Sequence, residues 1–238
     1  MADRKRDRDD YSDKVGLSVH APDGWQRIIS PAELERLVST GDQLGVHVLV
    51  GDIRKSTFLM KESISLKRFA LITRDFMKAV RDTASKNEGW FDKFTGDGFI
   101  IYWIYGGKTN QEKYISQMLS FSEALLSIFP EVMDEYRKNC TNFPAGTGLS
   151  LGIDSGLCTL VNIEDLNIIG PPVVGASRMV EEAEPFELLF NVSTAAWLIR
   201  DKDALARNYG ITIKKKYIKT AEYGEMGQEA YSVRFAEE

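Results

Sequence analysis

The chain has few of the residues from which metal centres, disulfide frameworks and membrane spans are usually built. Its 238 residues include two cysteines, Cys140 and Cys158, and two histidines, His20 and His47. Neither pair has the close spacing of a zinc site, and two distant cysteines make no disulfide scaffold, so a reducing cytoplasm is the expected setting. No window reaches the roughly 18 consecutive apolar residues of a membrane-spanning helix, and no membrane partner is expected. Excess positive charge is also missing. A net charge of −5 and a pI near 5.3 argue against a nucleic-acid binder, which must neutralise phosphates with a basic surface. That balance leaves room for a local basic funnel that takes a nucleotide. No repeat or low-complexity linker interrupts the chain, and 43% hydrophobic with 27% charged residues is the composition of an ordinary globular protein.

The first residues, MADRKRDRDDYSDK, carry five acidic and five basic side chains with no apolar run. They are expected to form a disordered tail rather than a secretion signal or an anchor. Residues 1–44 are read as an N-terminal arm with one short helix, in which Ser30, Pro31 and Glu33 make a helix start. Residues 45–238 are read as one folded domain.

What is present is organised around Asp92 to Tyr105, DKFTGDGFIIYWIY. Phe99 to Tyr105 is β-branched or aromatic throughout and suits a buried strand. Asp97 stands between Gly96 and Gly98, where the backbone turns tightly and no neighbouring side chain blocks a ligand. An isolated GDG is more often a plain hairpin turn. A second carboxylate changes the balance. HVLVGD, His47 to Asp52, is another apolar strand ending in Gly-Asp, and it runs into a helix expected to be capped by Ser56 or Thr57. Two aspartates at the edges of two strands are a common device for sharing two divalent cations over a triphosphate.

Further along, residues 56–86 have helical spacing with one buried face, and Gln111 to Lys138 makes the longest helical pattern, which Pro130 is expected to kink or split. Thr147 to Asp154 reads as a strand that turns at Ser155-Gly156 into a second strand, Leu157 to Ile163. Asn167 to Glu182 contains Gly-Pro-Pro, a helix start that would project Arg178. A short strand at Glu187 to Phe190, a helix from Ser193 to Ala206 and two closing strands complete an α+β sandwich on a mainly antiparallel sheet.

In this order the motifs resemble the catalytic domain of class III nucleotide cyclases, from about His47 to Phe235. GDIRKST (Gly51 to Thr57) resembles the first metal motif, with Lys55 where a glycine is common. KFTGDG (Lys93 to Gly98) resembles the second. LGIDSG (Leu151 to Gly156) is similar to a segment that usually carries a histidine where Asp154 stands. IGPPVVGASRM (Ile169 to Met179) matches the helix that bears an asparagine and an arginine, with Arg178 on the arginine. The resemblance implies a ferredoxin-like core and a head-to-tail homodimer. It also implies two Mg²⁺ or Mn²⁺ ions held by Asp52, Asp97 and the Ile53 carbonyl, with Arg178 stabilising the transition state. Lys219 resembles the lysine that binds the polyphosphate. Taken without the resemblance, Arg178 is a surface helix arginine and Lys219 a solvated edge-strand lysine.

Three departures bear on specificity. Val174 stands where the family helix has asparagine, Ile169 replaces a common tryptophan, and the base-reading positions match Lys93 and Asn167 rather than a lysine and an aspartate. An amide both donates and accepts, which suits the adjacent N3 and O4 of uracil or N3 and N4 of cytosine, and a lysine beside it favours the carbonyl-rich uracil. Such a domain resembles the pyrimidine cyclases of bacterial antiphage (Pycsar) systems, which make cyclic UMP or CMP for a separate effector protein. UTP is the expected substrate, ahead of CTP, with ATP as the alternative. A degenerate, binding-only domain is a different class of reading. Val174 supports it, and the retention of both aspartates and Arg178 opposes it. A diguanylate cyclase of the GGDEF type is disfavoured because the turn reads TGDG.

Overall fold

The structure, a computed structural model, describes residues 30–105, 111–163, 165–200, 202–219 and 227–236. The expected disordered tail lies outside them. The first element is α1 (Pro31–Thr40), started as its sequence predicts: the Ser30 hydroxyl accepts from the Glu33 amide at 3.1 Å. Strand β1 (Gln43–Arg54) follows, then α2 (Ser56–Lys61), α3 (Leu66–Lys86), β2 (Trp90–Phe94) and β3 (Gly98–Tyr105). Next come α4 (Gln111–Lys138), β4 (Gly148–Ile163), β5 (Asp165–Ile169) and α5 (Pro171–Glu182). The chain closes with β6 (Leu188–Asn191), α6 (Val192–Arg200), α7 (Lys202–Tyr209), β7 (Ile211–Ile218) and β8 (Gln228–Phe235).

The strands form one sheet in the order β2-β3-β1-β4-β6-β8-β7, with β5 paired to β4. Every pairing is antiparallel except β4 with β6. Strand β1 is an inner strand, buried without interruption from Val46 to Gly51 because both of its faces are covered. Leu49 and Ile53 point with Ile101, Trp103 and Ile153 into a core shared with α3 and α4. Val46, Val48 and Val50 point with Ile100, Tyr102 and Leu160 into a second core, closed by Leu34 and Leu37 of α1 and by Ala176 and Val180 of α5. Among the described residues no helix is long and apolar enough to cross a membrane.

Four expected elements differ. No turn occurs at Ser155-Gly156: β4 runs straight through, because His47 and Val46 of β1 pair with those two residues and hold them in the ladder. Gly156 serves close approach instead, since a Cβ there would lie 3.0 Å from Pro172 of α5. The helix expected over 56–86 is broken at Glu62–Ser65. Ser63 bridges to Cys140 there, and Ser65 starts α3 by accepting from the Arg68 amide at 3.3 Å. Pro130 does not split α4, which runs from Gln111 to Lys138 with the proline on its exposed side. Ser193 does not cap a single helix to Ala206. It lies inside α6, where its hydroxyl donates to the Asp154 carboxylate, and α7 is separate.

Helix α5 sits unusually close to β4 because glycines remove the side chains between them. A methyl at Gly152 would collide with the Ala176 carbonyl oxygen and the Val180 backbone nitrogen, neither of which can rotate away. Gly152→Ala is therefore expected to cost about 2–3 kcal/mol by overpacking, read as a fall in the denaturant midpoint at unchanged slope.

Candidate active site

The β1–β3 ladder decides where the first two carboxylates meet. Asp52 pairs with Gly98, so the register places it beside the residue that follows Asp97. The loop Thr95–Asp97 is closed by a bond from the Thr95 amide to the Gly98 carbonyl at 2.9 Å. Gly96 has φ +85°, a left-handed conformation that favours glycine, and a Cβ on Gly98 would sit 2.7 Å from the Gly51 carbonyl oxygen. Both glycines of the turn thus serve the approach of Asp97 to β1. Burial, and then the nearby charge of Asp97, push the Asp52 carboxyl above the usual range. The hydroxyl of Ser56, the first residue of α2, donates to Asp97 Oδ2. A cavity of about 530 Å³ opens over these groups, lined by Asp52, Ile53, Arg54, Lys55, Ser56 and Asp97 among others.

Two basic residues follow Asp52 in the chain and have different fates. Arg54 turns across to the end of α5, where Nη2 donates to the carbonyls of Val180, Glu181 at 2.5 Å and Ala183 at 2.6 Å, while Nε donates to Ser150 Oγ at 3.1 Å. A permanent cation there satisfies carbonyls that the helix end leaves open and complements its dipole. Lys55, not Ser56 or Thr57, is the N-cap of α2: it adopts φ 65° and ψ 18° at the junction of β1 and α2, and no side chain caps the helix. That conformation explains why glycine suits this position.

Lys93 and Asn167, expected as a pair, are brought together: Lys93 Nζ donates to Asn167 Oδ1 at 2.6 Å. Asp92, which the sequence reading did not single out, organises them. Its carboxylate is wholly buried, accepts from the Ile168 amide at 3.1 Å and lies 3.4 Å from Lys93 Nζ, joining β2 to β5. Burial holds the Asp92 carboxyl above its ordinary range, although Lys93 opposes the shift. A register shift between Phe91 and Lys93 marks Asp92 as a bulge residue.

Arg178 stands on α5 and its Nη1 donates to Glu181 Oε2 at 3.2 Å. Val174, one turn earlier, is 49% exposed and Ile169 57% exposed, so an apolar surface flanks the arginine. Arg178 does not line the cavity between Asp52 and Asp97. Lys219 follows β7 at the sheet edge opposite β2 and β3, and it is exposed. One chain therefore assembles Asp52, Ile53 and Asp97, and assembles Lys93 with Asn167, while Lys219 lies at the far end of the sheet. Asp154 is buried under α5, where Gly175 leaves room for its carboxylate, and accepts from the Ser155 amide at 2.7 Å. His47 is buried with Nδ1 2.5 Å from Ser155 Oγ, and burial pushes its imidazole down to about 4, which makes it a neutral core residue at pH 7.

Among the described residues no cluster of three or more His, Cys, Asp or Glu side chains could hold a metal ion. Two carboxylates and a nearby carbonyl nonetheless fit small, hard divalent cations whose remaining ligands come from water and substrate phosphates. The charge repulsion already felt at Asp52 is what such cations relieve.

No protein-family model and no curated protein matches the chain. Solved structures do. The adenylyl cyclase CyaB from P. aeruginosa superimposes with a TM-score of 0.68 at 22% identity, over 82% of this chain and 96% of that one. The guanylyl cyclase Cya2 gives 0.61 at 15% identity, over 83% and 95%. The guanylate cyclase domain of RhGC from Catenaria anguillulae, solved in complex with GTP, gives 0.58 at 13% identity, over 82% and 100%. The chain carries the α+β fold of the class III nucleotide cyclase catalytic domain.

Proposed function

We propose that the chain is a nucleotide cyclase that converts a pyrimidine ribonucleoside triphosphate, UTP by preference, to the 3′,5′-cyclic monophosphate and pyrophosphate. The observation that carries this reading is the meeting of Asp52 and Asp97 at one cavity of a cyclase fold. In cyclisation the ribose 3′ oxygen attacks the α-phosphorus and pyrophosphate leaves, so negative charge builds on phosphoryl oxygens. Asp52, Asp97 and the Ile53 carbonyl would hold two Mg²⁺ or Mn²⁺ ions. When bound, these supply positive charge to the phosphoryl oxygens and the leaving group. Ser56 holds the Asp97 carboxylate in its orientation. Arg178, a permanent forked cation, would meet the transition-state charge. Its bond to Glu181 is a half-exposed i,i+3 pair worth under about 1 kcal/mol.

The base assignment follows from the Lys93–Asn167 contact. A lysine only donates, so the amide oxygen of Asn167 must face Lys93 and the amide nitrogen must point elsewhere. A donating nitrogen suits the O4 carbonyl of uracil and opposes the amino groups of cytosine and adenine. Asp92, with no exposed side-chain surface, is out of reach of a base. The motif departures that resemble the antiphage pyrimidine cyclases support cyclic UMP as a messenger for a separate effector protein.

The test is incubation of the purified protein with each of the four ribonucleoside triphosphates and Mn²⁺ or Mg²⁺, with products identified by mass. Cyclic UMP is expected, cyclic AMP would replace the base assignment, and no product with any metal would end the enzyme reading. Asn167→Asp removes the donor and is expected to lower the UTP to CTP preference by about tenfold or more. Unchanged ratios among the four substrates would assign base reading to other residues.

A further inference from the structure

We infer that Lys55 is a polyphosphate-positioning residue, supplied by the same chain as Asp52 and Asp97. The inference rests on the cyclase reading above and names a residue for it that the metal motifs do not.

Lys55 holds φ 65° and ψ 18°, in the left-handed region that side chains seldom enter and that glycine enters freely. Asparagine, aspartate and histidine are the side chains that tolerate this region best, and lysine has no such advantage. Nothing in the local structure offsets the strain. Lys55 stands at the start of α2, where its carbonyl accepts from the Leu59 amide at 2.9 Å; its side chain makes no capping bond, is exposed, and forms no hydrogen bond or ion pair with any described residue. A strained backbone whose side chain does nothing for the fold is the pattern of a residue kept for its site.

The cavity explains what the ammonium does. Three cations line it with the two aspartates: Arg54, Lys55 and Lys61. Arg54 is committed to the carbonyls at the end of α5. Lys61 lies in the last turn of α2, where a cation complements the helix dipole without any ligand. Lys55 is the one of the three with a conformational cost and no structural return, three residues from Asp52 on the same cavity wall. An anionic polyphosphate entering over Asp52 and Asp97 meets two carboxylates, and a flexible four-carbon ammonium at the rim offsets that repulsion and orients the terminal phosphates. Lys219, from the opposite edge of the sheet, would act on the same group from a second chain.

The test uses wild type, Lys55→Gly and Lys55→Arg, with inorganic tripolyphosphate as the probe in calorimetry with Mn²⁺ and UTP as the probe in kinetics. Lys55→Gly suits the backbone, so its thermal midpoint should be no lower than wild type, which removes misfolding as an explanation. Tripolyphosphate affinity is expected to fall about tenfold, and KM for UTP to rise by a similar factor, more than kcat falls. Lys55→Arg should retain most of the affinity. Equal tripolyphosphate affinity in wild type and Lys55→Gly, with turnover intact, would overturn the role of Lys55 and leave the cyclase reading standing. No turnover of any triphosphate by wild type would end that reading, and no tripolyphosphate binding by wild type would end the inference.

Discussion

Asp97→Ala and Asp52→Ala are each expected to abolish cyclic nucleotide formation, by about a thousandfold or more, without unfolding the protein. Each removes a ligand that both cations would share, and phosphoryl transfer has little other catalysis to fall back on. The stability side separates a functional carboxylate from a structural one. Asp52 is partly buried and destabilised by burial and by the charge of Asp97, so its loss should leave the denaturant midpoint unchanged or raise it. Asp97 sits at a loop tip and accepts one bond, from Ser56, whose loss costs about 1 kcal/mol. Product formation is read by mass and unfolding by denaturant titration of the metal-free proteins. A variant that keeps a tenth of wild-type activity, or that fails to fold, would move that aspartate from the chemistry to the scaffold.

How much of this was legible in the sequence depended on whether the determining contact was local. Asp97 was legible because the turn that presents it is local: Gly96 and Gly98 flank it and each is needed there. The α1 start was legible for the same reason, since Ser30 and Glu33 meet within one turn. The false turn at Ser155-Gly156 came from treating small residues as turn formers. Their environment is set by β1 and by Pro172, which are distant in the chain and call for small residues for packing reasons. Pro130 was expected to kink or split α4; it does not split it, because the ring lies on the exposed side of a 28-residue helix whose buried face carries the element through. Arg54 and Asp92 carry no sequence signal for what they do. The first caps a helix 126 or more positions away, and the second is a bulge residue whose acceptor role depends on β5 lying beside β2. Lys93 and Asn167 were paired by resemblance alone, across 74 positions of chain.

The position of α5 connects the fold to the head-to-tail homodimer proposed for it. Arg54, two residues from Asp52, grips the carbonyl end of α5, and Gly152 lets α5 rest directly on β4, so the helix that carries Arg178 is fixed rigidly to the strand that carries Asp52. Exposed apolar side chains at Leu157, Ile169 and Val174 lie on β4, β5 and α5, around the helix that carries Arg178. A second copy of the chain docked head to tail would cover such a surface and bring Lys219 from the far sheet edge to the partner's aspartates.

Mixing two inactive variants tests this arrangement and the chemistry together. With a head-to-tail dimer, each active site takes Asp52 and Asp97 from one chain and Lys93, Arg178 and Lys219 from the other, giving two equivalent sites. Asp97→Ala and Arg178→Ala homodimers should both be inactive, because every site in either lacks one essential group. In a mixed dimer the two lesions fall on one site and the other site is intact. A fully exchanged equal mixture contains about half mixed dimers, each with one working site of two, so about one quarter of wild-type activity should return by the symmetry of the interface. Denaturing and refolding the variants together removes slow subunit exchange as a cause of failure, and native mass spectrometry counts the mixed dimers. Continued inactivity with mixed dimers present would place Asp97 and Arg178 in the same site of the same chain. Recovery close to one quarter requires both that the two residues act together and that two chains build each site, since neither condition alone produces that fraction.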